Sequence, residues 1–229
     1  MKESSNLMKY KIDYNAFSKK DSIGAFKNVL KYNLKIMFNL NFISALVFAM
    51  LIPVITSLKL LDYKAIASIG EGYLSIIGII LVPFLANIEN KNNIKEVIYI
   101  KKTSYMKTVL SRIVIIMIFM LLIIMSVMML ARAEGSVFKF WEITCGTWIS
   151  AAFLGMIGFT VANLIDNISA AYLISFGYYI VEYMSKGKYT KDLYLFSLTK
   201  GSFSKGKYIL LFILFIMIIF NLIIIKRKS

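Results

Sequence analysis

Histidine is absent from this chain of 229 residues, and cysteine occurs once, at Cys145. Without histidine the chain has no histidine-based proton relay or catalytic dyad, and few ways to build a zinc or haem site. A single cysteine cannot form a disulfide within one chain. We therefore expect no metal, no cofactor and no catalytic residue, so that any chemistry would belong to a partner.

Acidic residues are scarce as well, with 12 Asp and Glu against 27 Lys and Arg, a formal net charge of +15. Such an excess can indicate nucleic-acid binding, but 59% of the residues are hydrophobic. In apolar chains, lysines mark the cytoplasmic side of a membrane and contact anionic headgroups. We expect membrane lipids as partners and no nucleic acid. Abundant Lys, Ile and Asn with only two prolines hint at an AT-rich bacterial genome.

Six long apolar runs, none containing Asp, Glu, Lys or Arg, dominate the sequence. They cover residues 36–58, 72–88, 113–131, 143–165, 167–181 and 208–225. A helix of roughly 17–25 apolar residues crosses a bilayer, where unpaired backbone groups find no water. The runs are too long and too uniform for barrel strands. The sequence predicts an all-α polytopic membrane protein, one transmembrane domain over residues 1–229 with six spans, the fifth at 168–184.

The basic residues between the runs predict the orientation. With both termini inside, the inner segments carry 17 lysines and arginines and the outer ones 10. The basic loop 184–207 then lies outside, against the charge rule. Placing it inside would make residues 143–181 one crossing, a helix of about 58 Å, nearly twice the hydrocarbon core. Asp166 and Asn167 supply turn chemistry at its middle, so six spans and an external basic loop are predicted.

Two hydrophilic segments have apolar patterns of their own. Residues 15–34 place Phe26, Leu30 and Leu34 at helical spacing among lysines, which predicts a helix in the inner interface ahead of the first span. Residues 192–198 form an apolar island in the external loop. This island either dips back into the outer leaflet or packs locally.

Small residues recur at intervals of four in the fourth run, the pattern that lets membrane helices approach closely. The candidates are Ala151, Gly155, Gly158 and Ala162. They can serve helix packing within the chain, which is the simpler interpretation, or form a dimer seam.

The loop between the second and third runs, residues 89–112, is the most distinctive segment. Ile94, Val97 and Ile98 have i, i+3, i+4 spacing and form one apolar stripe on a short helix. A Lys-Lys-Thr-Ser turn follows at 101–104, and Arg112 leads into the third run.

This loop resembles the permease subunits of ABC-2 type ABC transporters. Glu89 matches the acid that follows the second span of that family, Asn93–Ile94 stand where Gly-Thr is usual, and Ile94–Ile100 match its helix. Lys101–Ser104 match the turn, and Arg112 matches the basic residue that opens the third span. The layout of an interfacial helix, six spans and a tight turn between the fourth and fifth agrees with the family.

The resemblance implies that residues 89–104 form a coupling helix that docks into a groove of a cytosolic ATPase. The residues implied in coupling are Glu89, Ile94, Lys95, Val97, Ile98, Lys101, Lys102 and Ser104. It implies an assembly of two ABC ATPase subunits with this permease and a second permease subunit, identical or similar, in a bacterial cytoplasmic membrane. The expected function is ATP-driven export of an amphipathic peptide, such as an antimicrobial peptide, a lipid or a hydrophobic drug.

Residues 201–207 fit the first seven positions of a phosphate-binding loop, but Tyr208 stands where Ser or Thr would hold Mg²⁺, and no strand precedes them. We expect a coincidence, and ATP hydrolysis in another subunit. Two other functions remain open. The chain could be a membrane-embedded immunity or scaffold protein without transport, or a membrane enzyme, although the lack of histidine and of an intramembrane acid pair argues against an enzyme.

Overall fold

Three helices of this protein begin at a polar residue that caps the first turn. The structure is a computed structural model that describes residues 38–88, 105–201, 203 and 205–228. Oδ1 of Asn39 accepts a hydrogen bond from the Phe42 amide at 3.1 Å, and Oδ1 of Asp62 accepts one from Ala65. Asn167 caps the turn that follows it, which confirms the turn predicted at Asp166–Asn167. Such caps satisfy amides that have no partner inside the helix.

The described residues form helices and connecting turns, without a β-strand. The α-helices are α1 (Leu40–Ile55), α2 (Tyr63–Ile69), α3 (Ile76–Leu81), α4 (Tyr105–Ala133), α5 (Phe140–Ile165), α6 (Ile168–Ser185) and α7 (Lys205–Lys228). A π-helical turn, Gly70–Leu74, joins α2 to α3, and a 3₁₀ turn, Pro83–Asn87, follows α3. Proline lacks an amide proton and clashes with the preceding turn, so α3 ends just before Pro83. Two further 3₁₀ turns, Lys191–Leu193 and Ser197–Lys200, lie between α6 and α7.

Four helical segments of the described chain are long and apolar enough to cross a membrane. They are Tyr63–Ala86, Thr108–Ala133, Phe140–Ile165 and Lys205–Arg227. The predicted first and fifth spans correspond to α1 and α6. With 16 residues, α1 is shorter than a span. In contrast, α6 has 18 residues but also carries serines, tyrosines and Glu182, and it is not among the four.

Successive helices run between the same two ends of the bundle. The loop after α1 lies beside the loop after α4, since the Leu60 amide donates to Glu134 O at 3.3 Å and the Val137 amide donates to Leu61 O at 3.1 Å. Ser136 Oγ also donates to Leu58 O at 2.6 Å. We call the end that contains residues 56–62, 134–139, 186–201 and 203 the cap end.

Polar contacts also mark the other end of the bundle, which we call the opposite end. Asn163, near the end of α5, donates to Asn221, near the end of α7, at 2.9 Å. Asn41, near the start of α1, donates to Tyr172 near the start of α6 at 3.3 Å. Ile88 and Tyr105, the described residues on either side of residues 89–104, lie at this end, because the segment from α2 to α3 arrives there and α4 departs from it.

The helices that correspond to the second, third and sixth predicted spans begin earlier in the chain than predicted. The helical segments begin at Tyr63, Tyr105 and Lys205 rather than at 72, 113 and 208. An apolar run stops at the first charge, whereas a helix continues past a charge that has a partner or reaches water. The predicted interfacial helix 15–34 and the predicted coupling segment 89–104 lie outside the described residues.

Candidate functional site

The backbones of α3 and α5 touch where both sequences have glycine. A Cβ placed on Gly78 would lie 1.8 Å from the carbonyl oxygen of Ala151, and one on Gly155 would lie 2.6 Å from Gly78 O. One turn further along α5, a Cβ on Gly158 would lie 2.5 Å from Cγ of Pro83. The small-residue stripe, in which Ala162 is also buried, therefore meets the second helical segment of the same chain.

This close packing holds the π-helical turn against the middle of α5. A Cβ on Gly70 would lie 2.4 Å from Oγ1 of Thr147, so a side chain there would displace the Thr147 side chain. The Tyr179 hydroxyl of α6 donates to the carbonyl of Gly72. A π-turn leaves backbone groups that the regular helix would use, and such turns often occur at functional sites. Here the turn aims Glu71, which has no exposed surface, into the bundle.

The partner of Glu71 is Lys207, from the first turn of α7. Lys207 Nζ lies 2.5 Å from Glu71 Oε1, and neither side chain has exposed surface. The same ammonium donates to Ser150 Oγ of α5 at 2.5 Å and to Leu195 O at 2.6 Å. An ammonium has three protons, so all of its donors are in use. A buried charge is tolerated only with such complete pairing.

The chain between α6 and α7 folds over this pair. We call residues 187–201 the cap segment. Its residues 194–198 are buried, and the Leu198 amide donates to Glu71 Oε2 at 3.0 Å. Leu198 also fills the space over Gly146 of α5, where a Cβ would lie 2.5 Å from its Cδ1. Glu71 therefore holds one end of the cap segment and Lys207, through Leu195 O, holds its middle.

Two further carboxylates attach the same region to the helices. Glu182 of α6 is buried, and its Oε2 accepts from Thr190 Oγ1 at 3.1 Å and from the Leu195 amide at 3.4 Å. Glu142 of α5 accepts from the Tyr63 hydroxyl at 2.9 Å and from the Phe203 amide at 2.6 Å. The cap end is therefore closed by acids that accept hydrogen bonds from otherwise unpaired backbone amides.

This arrangement joins four structural elements of the bundle. The ammonium of Lys207 has no donor left for a ligand. Among the described residues, no group of three or more His, Cys, Asp or Glu is placed to hold a metal ion. The pair joins the π-turn, α5, α7 and the cap segment at one point. Separating the cap segment from the bundle therefore requires that the ion pair open or move as a unit.

The structure also shows what the phosphate-loop-like sequence 201–207 does. Its lysine, Lys207, is bound to Glu71, and its last three residues belong to α7. Gly201 ends a 3₁₀ turn with φ of 104°, a conformation that glycine adopts readily. Residues 194–198 of the apolar island 192–198 are packed inside the bundle.

Glu71 and Lys207 were not among the residues that sequence analysis selected. Each lies directly beside an apolar run and was read as its hydrophilic boundary. The available signal was the apolar spacing of Ile66, Ile69 and Leu74, which continues across Glu71 on a helical period. A charge that interrupts an apolar period requires a buried partner, and a basic residue at the edge of another run can supply it.

Comparisons of the chain with protein-family models, with curated proteins and with solved structures find no match. The fold and the site themselves define an all-helical protein with apolar, membrane-compatible helices, an internal ion pair and a folded-in cap segment.

Proposed function

We propose that this chain is the transmembrane permease subunit of an ATP-driven exporter of the ABC-2 type, in a bacterial cytoplasmic membrane. The observation that carries the proposal is the position of Ile88 and Tyr105, the described residues on either side of residues 89–104. Both lie at the end opposite the cap segment, which supports a coupling helix that would reach a cytosolic ATPase from that end. The segment that would receive energy and the segment that closes the bundle would then lie at opposite ends.

The alternating course of the helices supports six crossings. Helix α1 runs to the cap end, the segment from α2 to α3 runs back, and α4, α5, α6 and α7 continue the alternation. Helix α6 would cross with its polar face on α5, because Ser175 Oγ donates to the carbonyl of Leu154 at 2.5 Å and leaves no hydroxyl proton facing lipid. The cap end would be external, with both termini and residues 89–104 cytoplasmic.

The surface of the bundle supports an apolar cargo and a second permease subunit. Helices α1, α6 and α7 expose large apolar side chains along their length, which lipid, cargo or a second subunit can cover. Exposed residues of α7 include Phe212, Phe215, Ile216, Ile219 and Phe220. Such faces suit an amphipathic peptide, a lipid or a hydrophobic drug better than a sugar or an ion.

In this mechanism the ATPase subunits hydrolyse ATP, and this chain responds by a displacement of its helices. Docking of the ATPase on residues 89–104 would act on the 3₁₀ turn at Pro83 and on the start of α4. Because the π-turn directly precedes α3 in the chain, a displacement of the second segment along α5 would carry the π-turn with it. Glu71 would then move relative to Lys207, and the hold on the cap segment would change.

The test is association with an ATPase subunit encoded by a neighbouring reading frame that carries a complete phosphate-binding loop. Charge reversal at Lys95, Lys101 and Lys102 should abolish co-purification, because these lysines would face the ATPase groove. The matched control reverses Lys188, Lys191 and Lys200 of the cap segment, with the same charge change, and should retain the ATPase. Equal retention by both variants would contradict coupling through 89–104.

The second reading of the same experiment concerns an immunity or scaffold protein. Such a protein would purify folded, with its cap end closed, but without any ATPase and without ATP-dependent export in reconstituted vesicles. If the folded protein bound a toxic peptide but never co-purified with an ATPase, the immunity function would replace the transporter proposal.

A further inference from the structure

A cavity of about 320 Å³ lies at the cap end, beside the ion pair. It is lined by Ser68, Gly72, Tyr183, Lys186, Tyr194, Phe196, Thr199 and Lys200. These residues come from α2 and the π-turn, from the end of α6, and from the cap segment. The size is that of a pocket for a small ligand or a lipid headgroup.

The wall of the cavity is aromatic and its rim is cationic. Phe196 packs edge-on against both Tyr183 and Tyr194, with ring centroids 5.9 and 5.8 Å apart. Nζ of Lys200 lies 5.0 Å from the centre of the Tyr194 ring, a cation–π contact that keeps this ammonium at the cavity. Lys186, which ends α6, lines the cavity as well and is exposed.

The charges around the cavity favour an anion. The chain from 184 to 207 carries six lysines and one aspartate. Behind the wall, Glu71 is paired with the ammonium of Lys207. Glu182 accepts hydrogen bonds from the neutral Thr190 hydroxyl and Leu195 amide, so that one carboxylate faces the two exposed lysines. Burial raises the pKa of the Tyr194 hydroxyl to about 12, and the nearby carboxylates of Glu71 and Glu182 add to this, so Tyr194 stays neutral. The two exposed lysines, Lys186 and Lys200, therefore make the net charge at the cavity positive.

The cavity continues into an apolar surface. Ile180, Tyr183 and Met184 follow one another at i, i+3, i+4 on α6, and each is at least 40% exposed. Tyrosine at the boundary between an apolar helix face and lysines is the arrangement found at lipid headgroup depth. A ligand that fits both parts has an anionic head and an apolar tail.

We propose that this cavity binds the headgroup of an anionic phospholipid, with its phosphate between Lys186 and Lys200 and its acyl chain along the exposed face of α6. The bound headgroup contacts Gly72, next to Glu71, and Thr199, next to Leu198. It therefore bridges the π-turn, α6 and the cap segment, and it stabilises the closed position of the cap. The two equilibria are linked, because the factor by which lipid binding lowers the equilibrium constant for cap opening equals the factor by which cap opening lowers the affinity for the lipid.

The experiment measures the thermal unfolding midpoint of the purified full-length chain in a neutral detergent during titration with three probes. These are short-chain phosphatidylglycerol, short-chain phosphatidylcholine and inorganic phosphate. Phosphatidylglycerol should raise the midpoint with saturation, since a ligand of the folded state stabilises it by mass action. Phosphatidylcholine should give no saturable rise, and inorganic phosphate should give none at the same concentrations.

Two matched variants assign the site. Lys186→Ala with Lys200→Ala should weaken apparent phosphatidylglycerol affinity about thirtyfold, because each lysine beside an anionic lipid headgroup contributes roughly a factor of five. Lys188→Ala with Lys191→Ala removes the same charge from the cap segment without touching the cavity, and it should leave the affinity within about twofold. The unliganded midpoints of both variants report whether either is misfolded.

The outcomes separate the alternatives. Equal weakening by the two double variants would mean general attraction to a basic surface and would overturn the site. An equal response to inorganic phosphate would mean an anion site without a lipid. A flat response to phosphatidylglycerol would overturn the proposal outright. None of these results depends on an ATPase, so the lipid site and the permease function can fail independently.

Discussion

Nζ of Lys207 lies 2.5 Å from Oε1 of Glu71, with both side chains fully enclosed by the bundle. The two residues are 136 positions apart in the sequence. The lysine also binds Ser150 Oγ and Leu195 O, and the glutamate accepts the Leu198 amide. This single contact joins the second helical segment, α5, α7 and the cap segment, so its removal should affect the whole cap end.

Removing one partner of this pair should be strongly destabilising. Glu71→Gln leaves the Lys207 ammonium buried without its countercharge, and Lys207→Met leaves the carboxylate, and each should cost about 3–5 kcal/mol. The double variant should be less destabilised than the sum of the singles, because no uncompensated charge remains. The unfolding free energy in detergent micelles, measured as a double-mutant cycle, tests this prediction.

The matched control for that cycle is the exposed ion pair between Lys139 and Glu142, 3.3 Å apart, in which the lysine side chain is 78% exposed. Lys139→Met should cost less than about 1 kcal/mol, since solvent screens the pair. If Lys207→Met and Lys139→Met had equal effects, the Glu71 pair would not hold the cap end.

Glycine at position 78 should tolerate no side chain. A Cβ there would lie 1.8 Å from the backbone oxygen of Ala151, which cannot rotate away. Gly78→Ala should therefore cost about 3 kcal/mol or more, at the upper end of overpacking penalties, or prevent folding. Gly177→Ala in α6 is the control, because a Cβ there meets nothing within 4 Å. The control should be neutral or stabilise by up to about 1 kcal/mol. The thermal unfolding midpoint and the monodispersity should both fall for purified Gly78→Ala, and the midpoint should stay the same or rise for Gly177→Ala. Similar midpoints for the two variants would refute the backbone contact.

The opposite end of the bundle has its own polar contact between helices. Asn221 of α7 is fully buried, accepts from Asn163 at 2.9 Å and donates to Thr160 Oγ1 of α5 at 2.7 Å. Hydrogen bonds between membrane helices contribute about 0.6 kcal/mol on average and up to about 1.7. Asn221→Leu should cost about 1 kcal/mol, and Phe220→Leu, at a neighbouring exposed position, should cost less. A larger effect at Phe220 would mean that the exposed face of α7, rather than this contact, holds the helix.

The sequence was sufficient to predict helices wherever apolar residues formed long runs, because lipid or core burial requires that pattern regardless of partners. It also predicted the turn at Asp166–Asn167, since both residues have local turn and capping chemistry. Long-range pairing was not predictable in the same way. In the sequence, Glu71 marks the boundary at which the apolar run 72–88 begins. In the structure, the helical segment begins eight residues before Glu71, at Tyr63, and Lys207 pairs with the acid inside the bundle.

The cap segment shows the same limit from the other side. Residues 192–198 could either dip into the bilayer or pack locally, because an apolar island does not specify what covers it. The structure packs residues 194–198 into the bundle over Gly146 and Glu71. Gly146 belongs to α5 and Glu71 to the π-turn, both more than 40 residues earlier in the chain, and Lys207 of α7 holds Leu195 from the other side. The roles of the coupling residues 89–104 stay predictions.

The sidedness of the two ends gives the last prediction. In a Cys145→Ser background, a cysteine at Lys188 lies at the cap end, and one at Arg227 lies at the end of α7 on the opposite end. A membrane-impermeant maleimide applied to intact cells should label Lys188→Cys and should reach Arg227→Cys only after permeabilisation. Val137→Cys, 81% exposed beside the loop after α1, should follow Lys188→Cys. Lys95→Cys should follow Arg227→Cys, because an ATPase can dock only from the cytoplasm. Labelling of Lys188→Cys and Arg227→Cys from the same side would require an even number of crossings between them instead of the single crossing of α7, and the proposed orientation and six-span topology would both fall.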